Sequence, residues 1–144
     1  MAAGTGPTLR PPRLRHTALK VRDLDASIDF YCRLLGMSVA RRRQSHERNV
    51  RQNRHSAYLA FGDEAHNHAL ELIQETGPPA EFVHGNMYSH LNFSIPDLLA
   101  LKDKLQSEGI EFTVPPTPLG IGDRYHILFI SDPDGYEIEV TDYP

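Results

Sequence analysis

The chain has 144 residues, the size of one domain or of two small modules sharing a core. Hydrophobic residues make up 40% and charged residues 24%, as in a soluble globular protein, and the formal net charge of −4 argues against nucleic acid as a partner. No apolar run approaches the roughly 20 residues that a membrane helix needs, and the single cysteine, Cys32, excludes an intrachain disulfide or a thiolate zinc cluster.

Residues 1–12 are rich in Gly, Pro and Ala and lack the apolar centre of a secretory signal, so a disordered tail and a cytoplasmic location are expected. Residues 13–75 read as a first module. It opens with a strand at His16-Thr-Ala-Leu-Lys-Val-Arg-Asp-Leu24. Ile28, Tyr31, Leu34 and Leu35 then recur at helical spacing, with Asp25 as the candidate N-cap and Gly36 as the stop. Cys32 on this helix reads as packed and inert. Strand-like runs follow at Met37–Arg42, Ser56–Phe61 and His68–Gln74, interrupted by a long polar excursion from Arg41 to Arg54. The arginines of that excursion (Arg41, Arg42, Arg43, Arg48, Arg51 and Arg54) read as a solvated loop. A linker, residues 76–87, carries Gly77-Pro78-Pro79.

Residues 88–144 repeat the pattern. His90-Leu-Asn-Phe-Ser-Ile-Pro-Asp-Leu98 matches the opening of the first half: in both, a β-branched residue follows the histidine by five, Asp by seven and Leu by eight. Leu98, Leu101 and Leu105 mark the second helix, Asp97 its N-cap and Gly109 its stop. Strands are expected at Glu111–Val114, Tyr125–Ser131 and Tyr136–Thr141. Pro115-Pro116-Thr117-Pro118 is read as loop and Asp132-Pro133-Asp134-Gly135 as a turn. The fold class is therefore α+β, with two βαβββ modules in one chain.

Alternation along the strands separates a core face from an opposite face. Thr17, Leu19 and Val21 oppose His16, Ala18 and Lys20; Leu91, Phe93 and Ile95 oppose His90, Asn92 and Ser94. Leu70 and Leu72 oppose Glu71, and Tyr136, Ile138 and Val140 oppose Glu137, Glu139 and Thr141. A carboxylate on an otherwise apolar strand is costly to bury unless it is paired or bound to a metal. Glu71 follows His16 by 55 residues and Glu139 follows His90 by 49, as a duplicated site requires. If the two sheets curl toward each other, these four meet in a shared cup, and a His₂Glu₂ set suits zinc, nickel, cobalt or iron(II). The other histidines (His46, His55, His66, His68, His84 and His126) lack this support; His66 and His68 read as solvated and His126 as edging the pocket.

The stretch His16–Tyr31 with Leu34-Leu35-Gly36-Met37, Ala69-Leu70-Glu71-Leu72, Tyr88-Ser89-His90 and Asp132–Glu139 resembles the vicinal-oxygen-chelate superfamily of glyoxalases, bleomycin-resistance proteins and extradiol dioxygenases. By ligand set it is most similar to glyoxalase I. The resemblance spans Leu14 to Val140 and implies paired βαβββ modules, cupped mixed sheets and a homodimer with sites at its interface. It also implies one divalent metal per site, zinc or nickel first, with cobalt, manganese and iron(II) compatible, held by His16, Glu71, His90 and Glu139. The ligand pairs then come from different subunits. Lys20 departs from the family, which has Arg there, and Pro118–Arg124 replaces the basic loop that holds glutathione. Ala57–Glu64 is more similar to the ring-cleaving dioxygenases.

The expected activity is metal-dependent proton transfer next to a carbonyl through an enediolate, as an isomerase, epimerase or glyoxalase-like lyase. Glu139 is the candidate base and Glu71 the group that returns the proton. Lys20, Asn92, Ser94, Glu137 and Arg124 are the candidate substrate contacts, pointing to a small hydroxyl-rich or anionic hydroxyketone. The alternatives are an iron-dependent extradiol dioxygenase, whose two-His-one-carboxylate triad leaves Glu71 superfluous, and a non-catalytic drug-binding resistance protein.

Overall fold

The structure, a computed structural model, describes residues 11–43, 53–78, 81–121 and 124–144. Residues 1–10 of the expected tail lie outside the described residues, as do His46, Arg48 and Arg51 of the polar excursion. In chain order the elements are β1 (His16–Lys20), α1 (Leu24–Asp29) continued by a π-helical segment (Phe30–Leu34), β2 (Ser38–Arg43), β3 (Arg54–Ala60) and β4 (Ala69–Glu75). The second half supplies β5 (His90–Ser94), α2 (Leu98–Ser107), β6 (Phe112–Pro118), β7 (His126–Ser131) and β8 (Glu137–Thr141). Each half builds its own four-stranded sheet, ordered β1-β4-β3-β2 and β5-β8-β7-β6. In both, the opening strand runs parallel to the closing strand and the other neighbours are antiparallel. The two expected modules are present.

The helix starts follow the repeat. Asp97 caps α2 as expected, its side chain accepting from the Ala100 amide at 2.9 Å. In the first module the cap is Asp23, accepting from Ala26 N at 3.0 Å, and not Asp25, which lies inside the first turn. Asp23 sits seven residues after His16, as Asp97 does after His90. Gly36 and Gly109, at φ of +82° and +73°, end the helical segments in the left-handed region that a side chain disfavours.

Two stretches read as loop are strand. β2 takes in Arg41 and Arg42, where the expected strand and the polar excursion overlapped, and extends to Arg43, while Pro115–Pro118 belong to β6. Proline withholds a ladder donor, so it is tolerated on an edge strand or at a bulge. β6 meets both conditions: it is the outer strand of its sheet, and its register against β7 shifts twice between Phe112 and Thr117.

One core joins the halves. Leu19, Leu70 and Leu72 of the first sheet, Val21 just after β1, and Phe93, Leu128, Ile138 and Val140 of the second sheet belong to a single buried cluster that includes both helices. The Tyr31 and Phe93 rings meet across the halves at 6.2 Å. Full burial of each such side chain contributes about 1.5–3 kcal/mol.

The Asp132–Gly135 turn then clasps the first module. Asp132 Oδ1 accepts from the amides of Asp134 and Tyr136, both at 2.9 Å, and Oδ2 accepts from the buried Tyr31 hydroxyl at 2.8 Å. Asp134 accepts from the backbone amide of Arg22 at 3.1 Å and from its guanidinium at 3.0 Å. Burial pushes the Asp132 carboxyl above its ordinary pKa, against the lowering effect of these hydrogen bonds, and burial raises the Tyr31 phenol strongly.

Candidate active site

The faces turned away from the core carry the four candidate ligands. In the first sheet Ala18 of β1 lies beside Glu71 of β4, and in the second Asn92 of β5 lies beside Glu139 of β8. The two histidines sit two residues earlier on their strands and reach along the sheet. His16 Nε2 lies 3.4 Å from Glu71 Oε2, and His90 Nε2 lies 2.7 Å from Glu139 Oε2.

Aromatic support repeats too. Tyr58 stands opposite Glu71 and Phe129 opposite Glu139 on neighbouring antiparallel strands. Each ring meets its histidine edge-on, with centroids 5.5 Å apart in both halves. The duplication thus extends to the residue that packs the imidazole.

The surroundings differ. Glu71 is 4% exposed, and its Oε1 is buried with no hydrogen-bond partner. Arg54 Nη2 approaches that oxygen at 3.7 Å. Arg41 lays its guanidinium over the Tyr58 ring, 3.4 Å from the centroid, and binds Glu64 Oε1 through Nε at 2.6 Å. Burial, and then the adjacent Glu71, push the Tyr58 phenol upward.

Within one chain the ligands meet as two pairs and not as four. Among the described residues no group of three or more His, Cys, Asp or Glu side chains lies close enough to hold an ion. The reason lies in the core. Both sheets turn their apolar faces to the shared helices, so the two His–Glu faces point away from that core. The shared cup expected from the sequence therefore does not form within one chain among the described residues.

The candidate substrate contacts fall into separate groups. Lys20 Nζ pairs with Glu75 Oε1 at 2.7 Å and lines a cavity of about 300 Å³ with Glu81, Phe82, His84 and Tyr136. Ser94 and Arg124 share a second cavity, about 440 Å³, with Tyr125 and Asp142, where the Ser94 hydroxyl donates to the Tyr143 carbonyl at 2.6 Å. Asn92 is exposed beside Glu139, while Glu137 is paired in register with His90 and exposed. His126 Nδ1 lies 3.6 Å from Oδ2 of Asp142, which lines the second cavity; His126 itself is not among the lining residues. His66 and His68 are exposed, as expected, with His68 also tied to Thr17 Oγ1 at 2.9 Å and to the Leu14 carbonyl at 3.1 Å and His66 to Asp63 at 2.8 Å.

Residues 13–140 match the pattern of the Glyoxalase/Bleomycin resistance protein/Dioxygenase superfamily. The chain belongs to that superfamily. It is 38% identical over 128 residues to a probable lactoylglutathione lyase of Vibrio cholerae, covering 89% of this chain and 88% of that protein. It is 32% identical over 130 residues to the lactoylglutathione lyase of Escherichia coli O157:H7, covering 90% and 92%. Among solved structures, it is similar to the trypanothione-dependent glyoxalase I of Leishmania major, with a TM-score of 0.76, 28% identity and coverage of 90% and 86%. It is also similar to glyoxalase I of Zea mays, at TM-score 0.78 and 31% identity, covering 90% of this chain and 44% of that one. By these relationships it is a glyoxalase-like enzyme of the superfamily.

In this glyoxalase-like chain the donors present fit a divalent ion. Imidazole nitrogens and carboxylate oxygens are what zinc, nickel and iron(II) take, and Glu71 Oε1 is a buried acceptor without a donor. Sequence reading missed Arg54, Arg41 and Tyr58 as neighbours of the pair. Alternation along β3 puts Arg54 and Tyr58 on one face; treating Arg41–Arg54 as loop concealed it.

Proposed function

We propose that the chain is a divalent-metal-dependent enzyme of glyoxalase type, working as a homodimer in which the His16–Glu71 pair of one protomer and the His90–Glu139 pair of the other share one ion. It moves a proton next to the carbonyl of a small hydroxyl-rich or anionic hydroxyketone, with a lyase or isomerase outcome. One observation carries this reading: two His–Glu pairs in the same register of two related sheets, one of them holding a buried, unsatisfied carboxylate oxygen. Relatives named lactoylglutathione lyase support the reaction class.

A divalent ion bound by these residues supplies Lewis acidity that polarises the substrate carbonyl and acidifies the adjacent C–H. Glu139, the more exposed carboxylate at 18% of its side chain against 5% for Glu71, takes that proton. Glu71 returns one on the other side. His16 and His90 place Nε2 beside their carboxylates, where each pair would hold the ion together, and Tyr58 and Phe129 pack the rings. Lys20 with Glu75, and Ser94 with Arg124, position the non-reacting parts of the substrate from the two cavities.

The test has two measurements. Elemental analysis of purified protein is expected to give one zinc or nickel per two His–Glu pairs. With metal-loaded protein in D₂O, deuterium is expected at the α-carbon of a turned-over hydroxyketone or thiohemiacetal substrate, with lactoylglutathione formation assayed in parallel. Absence of exchange with every such substrate under full metal loading sinks the reading.

A further inference from the structure

The two half-sites match at the ligand, at the histidine and at the supporting ring, but not in what touches the carboxylate from behind. Glu71 Oε2 faces His16, and its other oxygen, Oε1, faces Arg54 at 3.7 Å. Arg54 is itself constrained: only 26% of its side chain is exposed, and its position on β3 lies opposite Glu75. Four residues before Phe129, at the position equivalent to Arg54, stands Tyr125, whose ring packs edge-on against Tyr143 at 5.1 Å. Among the described residues, His90 is the sole basic side chain within ion-pair distance of Glu139.

We propose that Arg54 is a positioning residue: its ion pair with Oε1 holds Glu71 with Oε2 beside His16, where it returns the proton, while Glu139, which has no such neighbour, is the carboxylate free to shift and take one. The assignment rests on the reading of His16 and Glu71 as metal ligands. At 3.7 Å the contact is an ion pair and not a hydrogen bond; groups that hold a ligating carboxylate in orientation from outside the coordination shell typically contribute about 10- to 100-fold to metal affinity. A guanidinium here also opposes the ion electrostatically. The two effects have opposite signs, which makes the assignment decidable.

The experiment is calorimetric titration of metal-free, full-length protein with zinc and with nickel. It compares the wild type, Arg54→Gln, Arg54→Lys and the charge control Arg43→Gln, each checked for folding by circular dichroism. Bracing predicts that Arg54→Gln weakens binding about 10- to 100-fold, that Arg54→Lys recovers part of the loss and that Arg43→Gln binds as the wild type does. Unchanged or tighter binding by Arg54→Gln overturns the assignment, since tightening is what mere removal of a like charge produces. An equal loss in Arg43→Gln overturns it as well. A wild type that binds neither metal overturns both this assignment and the proposed function, whereas a wild type that binds beside an unaffected Arg54→Gln overturns the assignment alone.

Discussion

The His16–Glu71 and His90–Glu139 pairs occupy equivalent registers, yet one lies in a buried, basic setting and the other in a more open one. Around Glu71 stand Tyr58, Arg41 and Arg54; around Glu139 the corresponding ring is Phe129, which offers no polar atom. Duplication preserved the groups that make the half-site and let their surroundings diverge. The two carboxylates differ in what surrounds their oxygens: a buried oxygen without a donor has lost water and gained nothing in return.

Substitution of the two carboxylates is the largest lever on that contrast. Glu139→Gln is expected to lower kcat by about 10²–10⁴-fold with the metal still bound, the usual worth of a positioned base. Rates of α-proton exchange, measured beside metal content, check it. Full exchange in Glu139→Gln would move the base role to Glu71. In metal-free protein the other carboxylate acts on stability instead: Glu71→Leu is expected to raise the urea midpoint, by a gain of about 1–3 kcal/mol, because it removes the orphaned oxygen where an amide would keep an unpaired polar atom. Glu139→Gln, whose carboxylate is already paired at 2.7 Å, should bring no such gain.

The clasp that holds the two halves in their common core comes next. Asp134→Ala removes the acceptor for the Arg22 amide and guanidinium, and a loss of about 1–3 kcal/mol is expected in urea unfolding. Asp132 adds a pH signature. Its carboxyl is raised by burial, so its contribution is fully present below the unfolded pKa of about 3.9 and fades as pH rises through the higher folded value. The stability difference between wild type and Asp132→Asn is therefore expected to shift against the wild type as pH rises from about 3.9 toward neutrality. A flat difference across that range would show that the carboxyl is not strained.

The smallest effect is at the first cavity. Lys20 and Glu75 are both more than half exposed, and such pairs contribute about 0–1 kcal/mol. Glu75→Gln should leave the melting temperature almost unchanged while freeing Lys20 for an anionic ligand. A several-fold gain in affinity for an anionic substrate analogue, measured against a neutral one, would sharpen the difference between this cavity and the one holding Arg124.

Much of the molecule was legible because the signals are short-range. The repeat that starts at His16 and His90 placed both helices, and period-two alternation placed His16, Glu71, His90 and Glu139 on the faces opposite the core. Where a local signal was overruled, a neighbour did it. Pro115–Pro118 form strand because β6 is an edge, and Arg54 became part of the site because β3 begins earlier than its polar sequence implies.

The amino-acid pattern alone determined the two βαβββ units, the superfamily and the identity of the paired side chains, since each depends on residues within one strand or one turn. Only the tertiary structure decided that the pairs point away from a common core, that Asp132 and Asp134 clamp the first module, and that Arg54 backs Glu71. Those outcomes depend on which distant segments pack together, and the approach of side chains 17 or 101 residues apart in sequence leaves no period to read.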